Sequence, residues 1–368
     1  MEKVVHMSSV HSPNDPRIFN KQCKSLAKNG YDVVFIVPDS RDETIDGVRI
    51  VSIPAPKNRF ERMTKTIWQV YKMASKERAA VYHFHDPELI FAGILLRMKG
   101  AKVIYDVHED YITSILQKGY LPDGIRRFLA AGIQLFEKLA RKLFFIVLAE
   151  KYYQERFPEG YKILNYPAFN IIESRTNGLQ KKNLLYTGTI SEDRGALNFA
   201  YLARRLDDIN IFLIGRCTAE LHEKIKRIAG PDNDRIRVRG IDEYIPHEEI
   251  IATYEKGSWL AGLALFPATP HYVKKELTKF FEYMAAGIPV LCSDFPVWKE
   301  LIEDTGAGIC VNPDDVNEIS EAIDYLYHNP EARKKMSRAG QEAVKNTYNW
   351  EQESKKLLTF YHKIINNT

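Results

Sequence analysis

Glu282 stands in "TKFFEYMAAGIPVLCSD", residues 278–294, where aromatic and small apolar residues crowd around a single carboxylate. The stretch reads as a helix that Gly287 stops ahead of a short apolar strand. A carboxylate accepts two hydrogen bonds and matches the vicinal hydroxyls of a ribose. Phe280, Phe281 and Met284 have the spacing of a packed face, while Lys279 and Glu282, three residues apart, share another. A solvated Lys–Glu pair fits that spacing too, and such a pair contributes little.

A second set of residues suits an anion. In "LLYTGTISEDRGALNFAYLA" a strand runs into Gly188, a polar loop and a helix, with Arg194 at the helix entrance. Free backbone N–H groups and the positive end of the helix dipole favour a phosphate there, and an arginine adds a forked set of donors. "FLIGRCTAE" repeats the arrangement with Gly215 and Arg216. The alternative is an ordinary strand-to-helix turn with a solvated arginine.

The elements that must position these groups alternate along the chain. In the first half, the apolar runs "KVVHMSS", "YDVVFIVP", "VRIVSIP", "AVYHFHD", "AKVIYDVHED", "FFIVLAE" and "YKILNYP" are read as strands. Helical patterns fall between them, among them "RIFNKQCKSLAKNG", which Gly30 stops, and "GIRRFLAAGIQLFEKLARKL". The polar stretch 170–183 is the expected linker, after which strand–helix alternation restarts and ends in the amphipathic "WEQESKKLLTFYHKII". Near-continuous apolar strands separated by helices predict parallel sheets covered on both faces. The expected fold class is therefore α/β, with two doubly wound, Rossmann-like domains. Ligands in such sheets bind at the carboxyl ends of the strands.

Composition narrows the function. The 368 residues suit two domains of common size, and 45% hydrophobic with 27% charged residues is ordinary for a globular chain. No apolar run approaches the roughly 18–20 residues needed to span a bilayer. The start "MEKVVHMSSV" has no basic region followed by an apolar run, so a cytoplasmic location is expected. Cys23, Cys217, Cys292 and Cys310 lie far apart without a CxxC pattern and are read as buried thiols. A net charge of +4, with no zinc or RNA-binding signature, argues against a nucleic-acid partner.

In order along the chain, these segments resemble the family 4 retaining glycosyltransferases, which have the two-domain GT-B fold. The resemblance rests on "YTGTISEDRG", "GIDEYIPHEEIIATYEKGSWLAGLALFP", "KFFEYMAAGIPVLCSD" and "GAGICVNPDDVNEISEAIDYLYHNPEARKKMSRAGQEAV", followed by the tryptophan-led last helix. In the first half, "DPRIFNKQCKSLAKNGYDVVFI", "HFHDPELI", "YDVHEDY" and "ILNYP" agree. It implies an acceptor-binding domain at 1–169, a nucleotide-sugar-binding domain at 170–348, and a final helix at 349–368 that packs back on the first domain. The two domains would face each other across a cleft.

The resemblance also implies roles. Glu282 would hold the ribose hydroxyls and Arg194 the diphosphate, and Gly188, Thr189, Gly215, Arg216, Thr278 and Lys279 would share in binding the nucleotide sugar. Tyr244 and Ile245 would border the base. His108, at the end of the fifth expected strand, would reach the donor sugar near the reacting carbon. Two positions depart from the family pattern. A second glutamate is expected eight residues before Glu282, where Lys274 stands, and Glu276 is the nearest carboxylate. Thr189 occupies the place of the first arginine of the diphosphate loop, a charge that Lys279 or Arg216 would restore.

The implied activity is hexosyl transfer from a nucleotide diphosphate sugar, taken as a UDP-sugar, to an acceptor hydroxyl with retention of configuration. It would use no metal or other cofactor, and His108, Arg194 and Glu276 would act near the reacting bond. A carbohydrate or lipid-linked acceptor of cell-surface polysaccharide or glycolipid assembly is expected. Lys118, Arg126, Arg127, Lys138, Arg141 and Lys142 border apolar residues and suit peripheral contact with the inner face of the cell membrane. A packed helix with a solvated basic face fits them too. A nicotinamide-dependent dehydrogenase is excluded, because "SSVHSPNDP" after the first strand contains no glycine. A nucleotide-sugar epimerase on the same scaffold and a non-catalytic nucleotide-sugar-binding protein are the alternatives.

Overall fold

The computed structural model describes residues 1–39, 41–116, 121–168, 181–230 and 233–366. The chain divides into two compact units, Met1–Asn165 with Trp350–Thr368, and Tyr166–Asn349. Of the linker expected at 170–183, residues 170–180 lie outside the described residues, while Lys182 and Asn183 already belong to a strand.

The first unit is built on an eight-stranded sheet: β1 Lys3–Met7, β2 Asp32–Pro38, β3 Glu43–Ile45, β4 Val48–Ile53, β5 Val81–Phe84, β6 Lys102–Val107, β7 Phe145–Leu148 and β8 Tyr161–Lys162. The order is β3-β4-β2-β1-β5-β6-β7-β8, and every pairing is parallel except β3 with β4. That edge hairpin was not expected from the sequence, and it makes the strand before His108 the sixth instead of the fifth. Its two-residue loop, Asp46 and Gly47, has positive φ at both positions, 51° and 78°. An Asp-Gly pair favours that turn, and it was the available signal.

Alternate strand residues feed different cores, because successive side chains point to opposite faces. Val5, Met7, Val34 and Ile36 pack on one side. Val4, Val33, Phe35 and Val37 pack on the other, against Ile18, Phe19 and the final helix, Trp350–Asn366. Trp350, Leu357, Phe360, Tyr361 and Ile364 of that helix are buried there. Its first turn is also tied by hydrogen bonds, from Trp350 Nε1 to Ser25 Oγ at 2.9 Å and from the Leu164 N–H to Glu353 Oε2 at 2.8 Å. The helix after β1 stops as expected at Gly30, φ 87°. Tyr31 N–H bonds to Leu26 O and Gly30 N–H to Ala27 O, the paired closure that a left-handed residue permits.

The second unit holds β9 Lys182–Thr187, β10 Ile209–Cys217, β11 Ile236–Ile241, β12 Ala261–Ala264, β13 Val290–Ser293 and β14 Gly308–Val311. All pairings in its sheet, ordered β11-β10-β9-β12-β13-β14, are parallel. Strand order reverses at β9/β12 here and at β1/β5 in the first unit. At such a reversal the connecting segments leave toward opposite faces and open a crevice at the carboxyl ends of the strands.

Candidate functional site

In the second unit the segments leaving β9 and β12 are those that carry Gly188–Arg194 and Glu282. The Glu282 helix, Thr278–Ala285, buries Phe280, Phe281, Tyr283 and Met284, and it ends at Gly287, φ 62°, with Ile288 N–H bonded to Tyr283 O at 2.8 Å. The carboxylate itself is 15% exposed. The Tyr254 hydroxyl donates to Glu282 Oε2 at 2.9 Å and contacts Thr187 Oγ1 at 2.7 Å, while His247 Nε2 lies 3.7 Å from Oε1. Since the Tyr254 proton goes to the carboxylate, the Thr187 hydroxyl donates to Tyr254. A relay thus runs from the end of β9 to Glu282 and fixes its rotamer. Tyr254 and His247 lie in a stretch that carries the resemblance but were given no role there; both lie on the helix His247–Lys256, three turns of chain that only folding brings to Glu282.

Lys279 and Glu282 do not form the solvated pair that their spacing allowed. The Lys279 ammonium is buried without a hydrogen-bond partner among the described residues, 3.6 Å from the centre of the Tyr186 ring and 5.0 Å from that of Phe266. Burial pushes its pKa well below 10.5, and the nearby Arg194 charge lowers it further, against an opposing pull from Glu282. Arg194 donates from Nε to the Tyr272 hydroxyl at 2.9 Å, and that hydroxyl donates to Asp193 Oδ2 at 3.1 Å. Two cationic groups and one carboxylate therefore converge at the switch point. The buried nitrogen without a partner is the group most in need of an anion.

The backbone beside them is close-packed. Gly188, Gly215 and Gly240 end adjacent strands with φ of 100°, 147° and 99°. A Cβ on Gly215 would lie 2.0 Å from Gly188 O, and one on Gly240 2.4 Å from Gly215 O. At Gly215 and Gly240 there is thus no room for a side chain, whereas a Cβ on Gly188 would meet nothing within 4 Å. Gly188 N–H bonds to Ile214 O, and Ile190 N–H to Arg216 O, both at 2.9 Å. Thr189, Arg216 and Thr278 are exposed. Ile245 is buried and would touch a Cβ on Gly240, whereas Tyr244 is 74% exposed. Glu276 sits in the loop two residues ahead of its helix, where Tyr166 donates to its Oε2 at 3.2 Å. Of the two groups weighed as a replacement for the missing arginine, Lys279 is the buried one.

His108 belongs to the first unit, just beyond β6. At the β1/β5 switch point a polar cluster gathers, most of which sequence reasoning missed. Arg17 grips Asp106 at two points, 3.0 Å from Nε and 2.7 Å from Nη2, and Gln22 Nε2 adds a third bond at 2.9 Å. Burial penalises this carboxylate, yet the Arg17 charge and the His85 hydrogen bond hold it well below the usual range. From Asp106 a one-way chain follows: His85 Nδ1 at 3.0 Å, then His6 Nδ1 to His85 Nε2 at 2.9 Å, then the Tyr361 hydroxyl to His6 Nε2 at 3.1 Å, and His83 Nδ1 to Tyr361 at 2.7 Å. Burial lowers the pKa of all three histidines, so they are neutral at neutral pH. Nearer the surface, His108 Nε2 lies 3.1 Å from His11 Nε2.

Similarity to known proteins agrees with this architecture. Residues 172–343 match the family described as glycosyl transferases group 1, and residues 17–148 match the glycosyl transferase 4-like domain. No curated protein matches the sequence. Among solved structures, sucrose-phosphate synthase from Thermosynechococcus elongatus is 17% identical, with all of both chains covered and a TM-score of 0.74. A glycosyltransferase from Rickettsia africae is 14% identical over 100% of this chain and 99% of that one, TM-score 0.73. Anabaena HepE in complex with UDP-glucose is 12% identical over 99% of this chain and 100% of that one, TM-score 0.69. At these identities the structures speak for the fold, and the matched sequence families supply the membership: the chain belongs to the family 4 glycosyltransferases of the GT-B fold.

Proposed function

We propose that the chain transfers a hexose from a UDP-sugar to an acceptor hydroxyl with retention of configuration and without metal. The observation that carries this reading is the Lys279 ammonium, buried without a partner among the described residues and close to the charges of Arg194 and the oriented Glu282 carboxylate. That set suits a pyrophosphate next to a ribose, with Ile245 and Tyr244 beside the base and Glu276 toward the sugar. Anabaena HepE, of the same fold, is described in complex with UDP and with UDP-glucose.

Cleavage of the anomeric carbon–phosphate oxygen bond leaves negative charge on the diphosphate. Arg194 and Lys279, fixed before reaction, stabilise that charge. The acceptor oxygen forms its bond on the face the phosphate leaves, and its proton passes to the departing phosphate oxygen. His108 contacts the transferred sugar. The acceptor is a carbohydrate or a lipid-linked carbohydrate.

Differential scanning fluorimetry over UDP-, GDP- and ADP-sugars tests the donor, since a ligand selective for the folded state raises the melting temperature by mass action. UDP-glucose or another UDP-sugar should raise it in the wild type and far less in Glu282→Gln. Equal shifts in both proteins would remove Glu282 from the donor site.

A further inference from the structure

His11 lies in the loop after β1, and nothing in the donor reading uses it. Its Nδ1 faces Asp15 Oδ2 at 2.9 Å, while its Nε2 faces His108 Nε2 at 3.1 Å and Asp86 Oδ1 at 3.4 Å. Two ring nitrogens this close hold one proton between them, so one ring donates and the other accepts. His108 Nδ1 lies 3.2 Å from the Asp106 carbonyl oxygen, which can only accept. The His108 hydrogen is therefore on Nδ1, and its Nε2 is the acceptor. His11 must then carry hydrogens on both nitrogens. Its surroundings agree: burial works against its charge, but the hydrogen bonds and charges of Asp15 and Asp86 outweigh this and raise its pKa to about 10. His85, whose pKa burial lowers, and the His108 ring also lie nearby.

We propose that His11 is a positioning residue: clamped by Asp15 and Asp86, it holds His108 as the ring with hydrogen on Nδ1 and keeps its Nε2 as an acceptor for a sugar hydroxyl. The proposal rests on the reading that His108 contacts the transferred sugar. Asp86 makes the exchange easy. Its Oδ1 is buried with no other hydrogen-bond partner among the described residues, while Oδ2 already takes Ser8 Oγ at 2.8 Å and the Ser9 N–H at 2.7 Å. When a substrate hydroxyl takes His108 Nε2, the His11 proton turns to Asp86 Oδ1, and neither group is left unpaired. A ring held this way recognises an O–H donor and not a phosphate oxygen, which would need a hydrogen on Nε2.

The test uses the full-length protein with 15N-labelled histidine. Long-range 1H–15N spectra at pH 8 should show one imidazolium, absent from His11→Gln, and His108 with hydrogen on Nδ1. In His11→Ala, His108 should shift to mixed tautomers. A neutral His11 at pH 8, or His108 with hydrogen on Nε2, overturns the proposal. In UDP release from UDP-glucose, losing one hydrogen bond of about 1 kcal/mol should cost His11→Ala roughly fivefold in kcat, with KM nearly unchanged. His11→Gln, which keeps an N–H donor, should recover most of it, and His11→Ala should add nothing to His108→Ala. Circular dichroism and melting temperature check that each variant is folded. Wild-type kinetics in His108→Ala would overturn both the assignment of His108 and the proposal. Wild-type kinetics in His11→Ala, with His108→Ala impaired, would overturn the proposal alone.

Discussion

Tyr254 and Glu282 are joined by a 2.9 Å hydrogen bond that closes a relay from Thr187 at the end of β9. The bond turns the carboxylate of the helix Thr278–Ala285 toward the switch point of the second sheet. Tyr254→Phe deletes the donor and leaves the Thr187 hydroxyl without its acceptor. A hydrogen bond to a charged group contributes about 1.5–3 kcal/mol, so affinity for UDP-glucose should fall roughly tenfold or more. Isothermal titration calorimetry measures it. Unchanged affinity would mean that Glu282 does not depend on Tyr254 for its orientation.

On the proposed reading, Lys279 should link donor binding to protons. Its pKa is depressed by burial and by Arg194, so between that lowered value and 10.5 the unfolded chain binds a proton that the folded chain does not. Stability from this group accordingly rises with pH across that window. A bound diphosphate favours the ammonium form, so binding should be coupled to proton uptake within that window and weaken as pH rises. Calorimetry in two buffers of different ionisation enthalpy reads the uptake. Lys279→Met should abolish the uptake and weaken binding. It should also raise the melting temperature by about 2–4 °C, the effect of about 1 kcal/mol from removing a desolvated polar group.

Asp106 ties the first unit together through Arg17, Gln22 and His85. Asp106→Asn leaves the Arg17 guanidinium buried without its counter-charge, which should cost about 3–5 kcal/mol in urea denaturation at neutral pH. In the wild type the carboxylate's pKa is held below 3.8, so its contribution is present above that value and lost as pH falls through the lower, folded one. The variant should lack this acid-dependent loss. Equal stability of the two proteins at pH 7 would show that the pair contributes nothing net.

The helix Asp123–Leu143 exposes Ile125, Phe128, Leu129, Leu135, Phe136 and Leu139, with Phe128 and Leu135 at 78% and 70%. Lys138, Arg141 and Lys142 line a cavity of about 530 Å³ with Phe144, Phe145 and Phe157. Lys118, grouped with these cations in the sequence, lies outside the described residues. No helix among the described residues is long and apolar enough to cross a membrane. Contact with an anionic bilayer is the expected use of this face. Co-sedimentation with phosphatidylglycerol vesicles should exceed that with phosphatidylcholine. At about 1 kcal/mol per cation, Arg141→Glu with Lys142→Glu should weaken it roughly 30-fold or more. Equal sedimentation of the double variant would exclude this face.

The alternation of apolar runs and helical spacing was enough to predict two parallel α/β sheets, because strand and helix periods follow from local backbone geometry. The motifs around Gly188, Arg194 and Glu282 were legible for the same reason: each lies within one strand–turn–helix segment. Long-range pairing decided the rest. Whether Lys279 was solvated or buried depended on the Tyr186 and Phe266 rings, which come from β9 and the end of β12. Tyr254 meets Glu282 across 28 residues, and His11 meets His108 across 97. Spacing along a chain carries no information about contacts of that range. Hence the protonation of Lys279, His11 and Asp106 was settled only when the fold chose which charges lie beside them and how little water remains.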